Sequence, residues 1–186
     1  MKRLFRLQYN APVTLTFALL SLCALGLGRL TNGWTDVHLF SVWRSPLTDL
    51  LTYPRFFLHV LGHVDFDHYI SNMMMILVVG PGLEEKYGSR SILSAIIITA
   101  LVSGIVHWML FPGTILMGAS GIVFMMIVMA SLAGMRDGRI PITLILVLIL
   151  YLGNEIVSGV TQKDNISQLT HIIGGICGAV LGLRKR

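Results

Sequence analysis

One serine and one histidine, far apart in the chain, are residue types that together can perform acyl transfer. Ser120 lies between Gly118 and Gly121 at the start of a long apolar run, and His171 lies near the start of the last apolar run. A serine hydroxyl is a poor nucleophile until a neighbouring imidazole accepts its proton. Only Asp164 supplies a carboxylate close to His171 in sequence. The residues therefore favour a Ser–His dyad, with Ser120 as nucleophile and His171 as base, over a full triad.

A second polar pair could stabilise the oxyanion of such a reaction. His68 and Asn72 are spaced i, i+4, which places both on one face of a helix. The backbone N–H of Ser120, an imidazole N–H of His68 and the Asn72 amide are suitable hydrogen-bond donors. Gly118 lets the backbone approach a substrate because it carries no side chain.

The composition indicates that these residues are positioned by a membrane protein. The chain has 186 residues, of which 54% are hydrophobic and 12% charged, and its mean hydropathy is +0.76. A soluble domain carries about twice that share of charge. We therefore expect a single polytopic membrane domain over residues 1–186. The net charge of +5 is explained by its placement between apolar segments and does not indicate nucleic-acid binding.

Six segments have the length and apolarity of transmembrane helices. They are residues 12–30, 67–83, 92–111, 118–134, 140–160 and 168–183. Every backbone amide in hydrocarbon must be bonded within its own segment, so an all-α membrane fold is predicted. The first segment follows a basic amino terminus, but it is long for a signal peptide, and we expect it to be retained.

The basic residues predict the orientation of these helices. With six spans, ten of the 14 lysines and arginines lie on the side of the two termini and four lie opposite. This bias predicts that both termini are cytoplasmic. The long connection 31–66 then lies outside, and its mixture of aromatic and charged residues predicts an amphipathic structure in the outer interface.

This topology places the candidate site residues at one depth. The second, fourth and sixth helices all begin on the outer side, and His68, Asn72, Ser120 and His171 lie in their first turns. The glycines at 174, 178 and 182 form a small-residue ridge along the sixth helix. Such a ridge allows close helix packing, which would bring His171 towards Ser120.

At these residues the chain resembles the rhomboid family of intramembrane serine proteases. The matching motifs are Gly118-Ala119-Ser120-Gly121, His171 with Gly174 and Gly178, His63-x4-His68-x3-Asn72, and Gly80-Pro81-Gly82-Leu83-Glu84 followed by Gly88-Ser89. The chain departs from the family at Pro54-Arg55, where Trp-Arg is frequent, and at Thr170, where alanine is usual.

The resemblance implies a six-helix core of the prokaryotic type and a location in a prokaryotic inner membrane. Ser120 would be the nucleophile, His171 the base, and His68 and Asn72 would support the oxyanion. Phe124 would stack on the catalytic imidazole, and the fifth helix would gate substrate entry. Substrates would be transmembrane or juxtamembrane segments of other membrane proteins, and no cofactor would be needed.

Other interpretations of the same residues remain open at this stage. Ser120 could cap its helix, His171 could be a packed histidine, and His68 with Asn72 could cap the second helix. The chain could also be a non-catalytic binding module on the same scaffold, although such relatives typically lose the serine or the histidine. A small transporter is disfavoured because the fourth and sixth helices have few polar residues beyond the site.

The remaining ionisable residues are expected to have structural roles. His59 and His63 are predicted to be structural, and no metal site is expected because His63 and His68 lack the spacing of a zinc-binding helix. His107 and Trp108 are expected to anchor the third helix at the outer interface. Glu84 and Glu85 are expected at the cytoplasmic boundary, bonding backbone groups or pairing with Lys86 or Arg90. Glu155 is expected to snorkel or to face a water-filled cavity.

Overall fold

The computed structural model describes residues 8–134, the single positions 142, 145, 146 and 149, and residues 165–184. All regular secondary structure in these residues is helical. The helices are α1 (Pro12–Leu30), α2 (Trp34–His38), α3 (Thr52–Leu58), α4 (Phe66–Tyr87), α5 (Ser89–Leu110), α6 (Ser120–Ala133) and α7 (Asn165–Arg184). The predicted fifth transmembrane helix, with Glu155, lies outside the described residues except for the four single positions.

The start of α1 is held by a carboxylate from α4. Pro12 occupies the first turn of α1, and the amides of Val13 and Thr14 donate to the two carboxylate oxygens of Glu84 at 2.9 and 3.0 Å. The Thr14 hydroxyl donates to the same carboxylate at 2.9 Å. These bonds satisfy amides that have no partner within a helix, and the negative charge complements the helix dipole. The prediction that Glu84 bonds backbone groups is confirmed.

The second long helix continues further than its apolar run predicted. The sequence suggested an end at residue 83, but α4 continues through Pro81 and ends at Tyr87. The next residue, Gly88, has a φ of +81°. A proline inside a helix removes one backbone hydrogen bond. Contact with α1 holds this turn in place, since Gly80 packs against Thr14 and Glu84 bonds the start of α1. The next helix begins at Ser89, three residues before its predicted start.

Helix α6 forms the centre of the core. All of residues 121–129 are buried, and α6 packs most extensively on α7, then on α4 and α5. It begins two residues later than predicted, because Gly118 has a φ of +138° and cannot belong to the helix. Helix α7 is longer than the predicted 168–183 at both ends. Among the described helices, α1 and α5 are long and apolar enough to cross a bilayer, whereas α6 is apolar but shorter.

The connection between α1 and α4 folds around a buried arginine. Arg55 is 2% exposed, and its Nε donates to the His38 carbonyl at 2.8 Å. Its Nη1 lies 2.9 Å from a carboxylate oxygen of Asp49, and the guanidinium lies over the Trp43 ring. The hydrogen bond from the Leu51 amide, and to a smaller extent the Arg55 guanidinium, lower the pKa of Asp49. A buried charge needs such partners, so Arg55 organises this segment.

This connection is also bonded to the loop before α6. Val42 and Leu116 exchange backbone hydrogen bonds of 2.9 and 2.8 Å in an isolated antiparallel bridge. His107 lies in the last turn of α5, where its side chain is 2% exposed and bonds the Thr114 carbonyl at 3.3 Å. Trp108 donates to the Ser45 carbonyl at 3.0 Å. His107 therefore holds the loop before α6 against α5, and Trp108 holds the connection between α1 and α4 against the same helix.

Candidate active site

Ser120 is the first residue of α6 and is partly buried. The residue before the helix is Ala119, and no side chain caps this end. The alternative in which Ser120 serves as a helix cap is therefore wrong. The chain reaches Ser120 through Gly118, whose amide donates to the His59 carbonyl at 3.0 Å. The φ of +138° at Gly118 is one that residues with side chains rarely adopt, so glycine is required there.

His171 lies on the same side of α6 as Ser120. Its imidazole stacks on the Phe124 ring, with centroids 5.2 Å apart and planes inclined by 12°. Phe124 is one turn after Ser120, so the two share a helix face. Both rings are almost fully buried, with exposed fractions of 4% for His171 and 2% for Phe124. The predicted stacking partner of His171 is confirmed as a contact.

Small residues bring α7 against this end of α6. A Cβ added at Gly174 would lie 2.2 Å from the Gly121 carbonyl oxygen, and one added at Gly178 would lie 2.4 Å from the Met125 carbonyl oxygen. A Cβ at Gly121 would lie 3.0 Å from Cγ2 of Thr170. The residues next to Ser120 and His171 in sequence therefore contact each other. Thr170, which departs from the family pattern, fits this contact because Gly121 has no side chain.

His68 lies against Gly118, in the loop that precedes α6. A Cβ added at Gly118 would lie 2.8 Å from Cε1 and 3.1 Å from Nε2 of His68. The imidazole therefore packs on the backbone two residues before Ser120. Asp65 immediately precedes α4, and its carboxylate accepts a hydrogen bond from the His68 amide at 2.7 Å. Asp65 thus caps the helix, and the alternative of a cap formed by His68 and Asn72 is wrong.

Asn72 follows His68 by one turn of α4 and is 6% exposed. Its Nδ2 is buried and has no hydrogen-bond acceptor among the residues that the structure describes. A buried amide without an acceptor costs about 1–3 kcal/mol. Buried donors of this kind call for a functional explanation or an unseen partner.

His63 was predicted only to be structural, and the structure shows that its ring packs against His68. The His63 ring contacts the His68 ring edge to face at 5.1 Å, and its Nδ1 donates to the Leu61 carbonyl at 3.1 Å. Burial is the main cause that lowers the pKa of His63 to about 4, so the ring is neutral at pH 7. The i, i+5 spacing of the two histidines was the available signal, but only the turn before α4 brings their rings together.

The described residues include no group of three or more histidine, cysteine, aspartate or glutamate side chains arranged for a metal ion. The chemistry available here is that of the hydroxyl, the imidazoles and the amides. Phe124 and His171 meet where α6 packs on α7, one turn from Ser120, and His68 packs on Gly118.

The comparison with known families agrees with the four motifs. A family model of the rhomboid domain matches residues 51–185, from the residue before α3 through the end of α7. This match includes Ser120, His171, His68 and Asn72. Members of the family are integral membrane proteins, most are intramembrane serine proteases, and some are inactive. The chain therefore belongs to the rhomboid family of integral membrane proteins.

Proposed function

We propose that the protein is an intramembrane serine endopeptidase with a Ser120–His171 dyad. The observation that supports this best is the stacking of His171 on Phe124, at 5.2 Å, on the helix face that carries Ser120. This packing limits the orientations of the imidazole, and a positioned base is what a serine nucleophile requires. Inactive relatives typically lack the serine or the histidine, and this chain has both.

The proposed reaction proceeds in two halves. His171 accepts the proton of the Ser120 hydroxyl as Oγ attacks the scissile carbonyl carbon. The C–N bond then breaks, His171 returns the proton to the leaving amine, and an acyl ester remains on Ser120. A water molecule, deprotonated by His171, attacks this ester and releases the carboxylate product with the free serine.

The oxyanion of each tetrahedral intermediate would be stabilised by donors around Gly118. The backbone N–H of Ser120 lies at the positive end of α6, and His68 packs on Gly118. The buried Nδ2 of Asn72, which lacks an acceptor among the described residues, is a donor available to an oxyanion. Each such donor is typically worth about 10²–10³ in kcat.

The substrates proposed are transmembrane or juxtamembrane segments of other membrane proteins. A regular helix buries its amides in internal hydrogen bonds, so cleavage requires local unwinding. Helix-breaking or small residues near the outer leaflet would lower this cost. The proposed setting is a six-helix domain in a prokaryotic inner membrane with both termini in the cytoplasm, and it is supported by the ten-to-four distribution of basic residues.

The decisive experiment compares the wild type with Ser120→Ala and His171→Ala in proteoliposomes containing a single-span substrate. Ser131→Ala is the matched control, because Ser131 also lies in α6 but its hydroxyl donates to the Ile127 carbonyl at 2.9 Å. We expect cleavage, and labelling by a serine-directed phosphonate probe, to be lost in Ser120→Ala and retained in Ser131→Ala. Cleavage by Ser120→Ala at the wild-type rate would refute the proposal. Substrate binding by the wild type without cleavage or labelling would favour the binding module.

A further inference from the structure

An apolar groove runs between α1 and α5 on the outside of the helical bundle. Its floor is formed by Phe17 and Ile96, which are each 6% exposed, and its rims by Leu20 and Leu93, which are 50% and 47% exposed. The groove encloses about 300 Å³. We call it the α1–α5 groove. None of the residues proposed for the reaction lines it.

The length of the α1–α5 groove matches one leaflet of a bilayer. Its lining extends along α1 from Pro12 to Leu20, which corresponds to a rise of about 12 Å. Half of the hydrocarbon core is about 15 Å thick. Both α1 and α5 are long enough to cross the membrane. They begin at the same end of the groove, because Glu84, just before the start of α5, bonds the first turn of α1. The groove therefore has the dimensions and surface of a site for one acyl chain.

The end at which both helices begin carries polar and cationic groups. Arg90 is exposed and precedes Leu93 by one turn, so both lie on the same face of α5. Among the described residues, the Arg90 guanidinium forms no ion pair or hydrogen bond. Tyr9 is 56% exposed, and its hydroxyl lies 3.0 Å from that of Thr16, which lines the groove. Tyrosine in this position is typical of the headgroup level.

We infer that the α1–α5 groove binds one acyl chain of an anionic phospholipid, whose net negative headgroup pairs with Arg90. The lipid comes from the leaflet at which α1 and α5 begin. The nearby Glu84 carboxylate does not oppose this, because it is 5% exposed and already accepts bonds from the start of α1. The inference requires the membrane location of the rhomboid family and is independent of any proteolytic activity.

The test is native mass spectrometry of the full chain with equal amounts of phosphatidylglycerol and phosphatidylcholine carrying identical acyl chains. The wild type is expected to retain one phosphatidylglycerol preferentially. Arg90→Gln should weaken this binding about fivefold, since a basic residue near the surface contributes about 1 kcal/mol. Arg29→Gln is the matched control, because Arg29 is exposed at the other end of α1. Equal lipid retention by the two variants would overturn the assignment.

A second pair of variants tests the groove itself. Leu93→Trp should fill the space and reduce retention of the bound lipid about tenfold, whereas Ile98→Trp, at a similarly exposed residue of α5 that does not line the groove, should not. Thr16→Phe provides an independent way to fill the groove if Leu93→Trp fails to fold. Excess inorganic phosphate should leave the lipid bound. Displacement by phosphate, or equal retention by the groove-filling and control variants, would contradict an acyl-chain site.

Discussion

The imidazole of His171 lies parallel to the Phe124 ring, with centroids 5.2 Å apart and an angle of 12° between the planes. Phe124 lies one turn beyond Ser120 on α6, so this stacking joins the helix of the proposed nucleophile to the residue proposed as its base. Two nearly buried rings in contact leave the imidazole few orientations. The geometry of the proposed dyad therefore depends on an apolar side chain.

Replacing Phe124 should impair the reaction more than the fold. Phe124→Leu keeps much of the apolar volume but removes the flat surface on which His171 rests. We expect kcat to fall roughly tenfold to hundredfold, because small displacements of reacting groups have effects of this size. Turnover in proteoliposomes measures this change. Phe111→Leu is the control, since Phe111 stacks on His107 away from the site, and an equal loss of kcat in both variants would exclude a specific role for Phe124.

The close approach of α6 and α7 should not tolerate a methyl group at Gly174. Its added Cβ would lie 2.2 Å from the Gly121 carbonyl oxygen, so Gly174→Ala must separate the helices beside Ser120. We expect a loss of about 1–3 kcal/mol in stability, as in other overpacked cores, together with a loss of activity. Thermal unfolding in detergent measures the first effect.

The neighbouring glycine offers a matched control for this experiment. A Cβ at Gly175 would lie 3.6 Å from a ring carbon of Phe124, which is an ordinary contact. Gly175→Ala should therefore leave stability and cleavage close to those of the wild type. If both alanine variants destabilise the protein to the same extent, the close contact at Gly174 is not what holds α7 in place.

Replacing Asn72 should lower activity without lowering stability. Its Nδ2 is buried without an acceptor among the described residues, so removing the amide relieves a cost of about 1–3 kcal/mol. The cavity that Asn72→Ala leaves offsets part of this gain. We expect stability equal to or above that of the wild type and a kcat about 10²–10³ lower, as for the loss of an oxyanion donor. Normal turnover by Asn72→Ala would remove this residue from the proposed oxyanion site.

The contact between Glu84 and α1 should contribute to stability. Glu84→Gln loses one of the two carboxylate oxygens that bond the start of α1, and the charge that complements the helix dipole. We expect a loss of about 1–3 kcal/mol in the free energy of unfolding. Glu85→Gln is the control, because Glu85 is exposed and surface changes usually stay within about 0.5 kcal/mol. Equal unfolding curves for the two variants would contradict the proposed bond.

Stability should fall in mildly acidic solution because of two buried histidines in the connection between α1 and α4. Burial is the largest cause that lowers the pKa of His59, and also that of His63, to about 4. The unfolded chain binds these protons near pH 6.5, so it carries more protons than the native state between about pH 4 and 6.5. The stabilisation is complete above pH 6.5 and is lost as the pH falls towards 4.

The expected loss is up to about 3 kcal/mol for each histidine across that window. Denaturant unfolding at pH 7.5, 6.5, 5.5 and 4.5 would measure it. His59→Gln should reduce the slope of stability against pH by about one proton, because it removes the titrating imidazole, whose Nε2 donates to the Ala100 carbonyl. A slope that is unchanged in this variant would show that the loss has another origin.

The sequence by itself determined the class of protein and named the candidate site residues. Long apolar segments require helices in a membrane, and the spacing of His68 and Asn72 places both on one helix face. These signals are local, because they depend on composition and on positions a few residues apart. The rhomboid motifs could be recognised in the sequence for the same reason, since each lies within one short stretch of the chain.

Only the tertiary structure decided how those stretches meet. The packing of Gly174 on Gly121, of His171 on Phe124 and of His68 on Gly118 joins residues from three helices. Contacts that are distant in sequence also bury His107 and let α4 continue past Pro81 to Tyr87. An apolar run shows which segments enter the membrane, but the fit of one helix surface against another selects which side chains face each other.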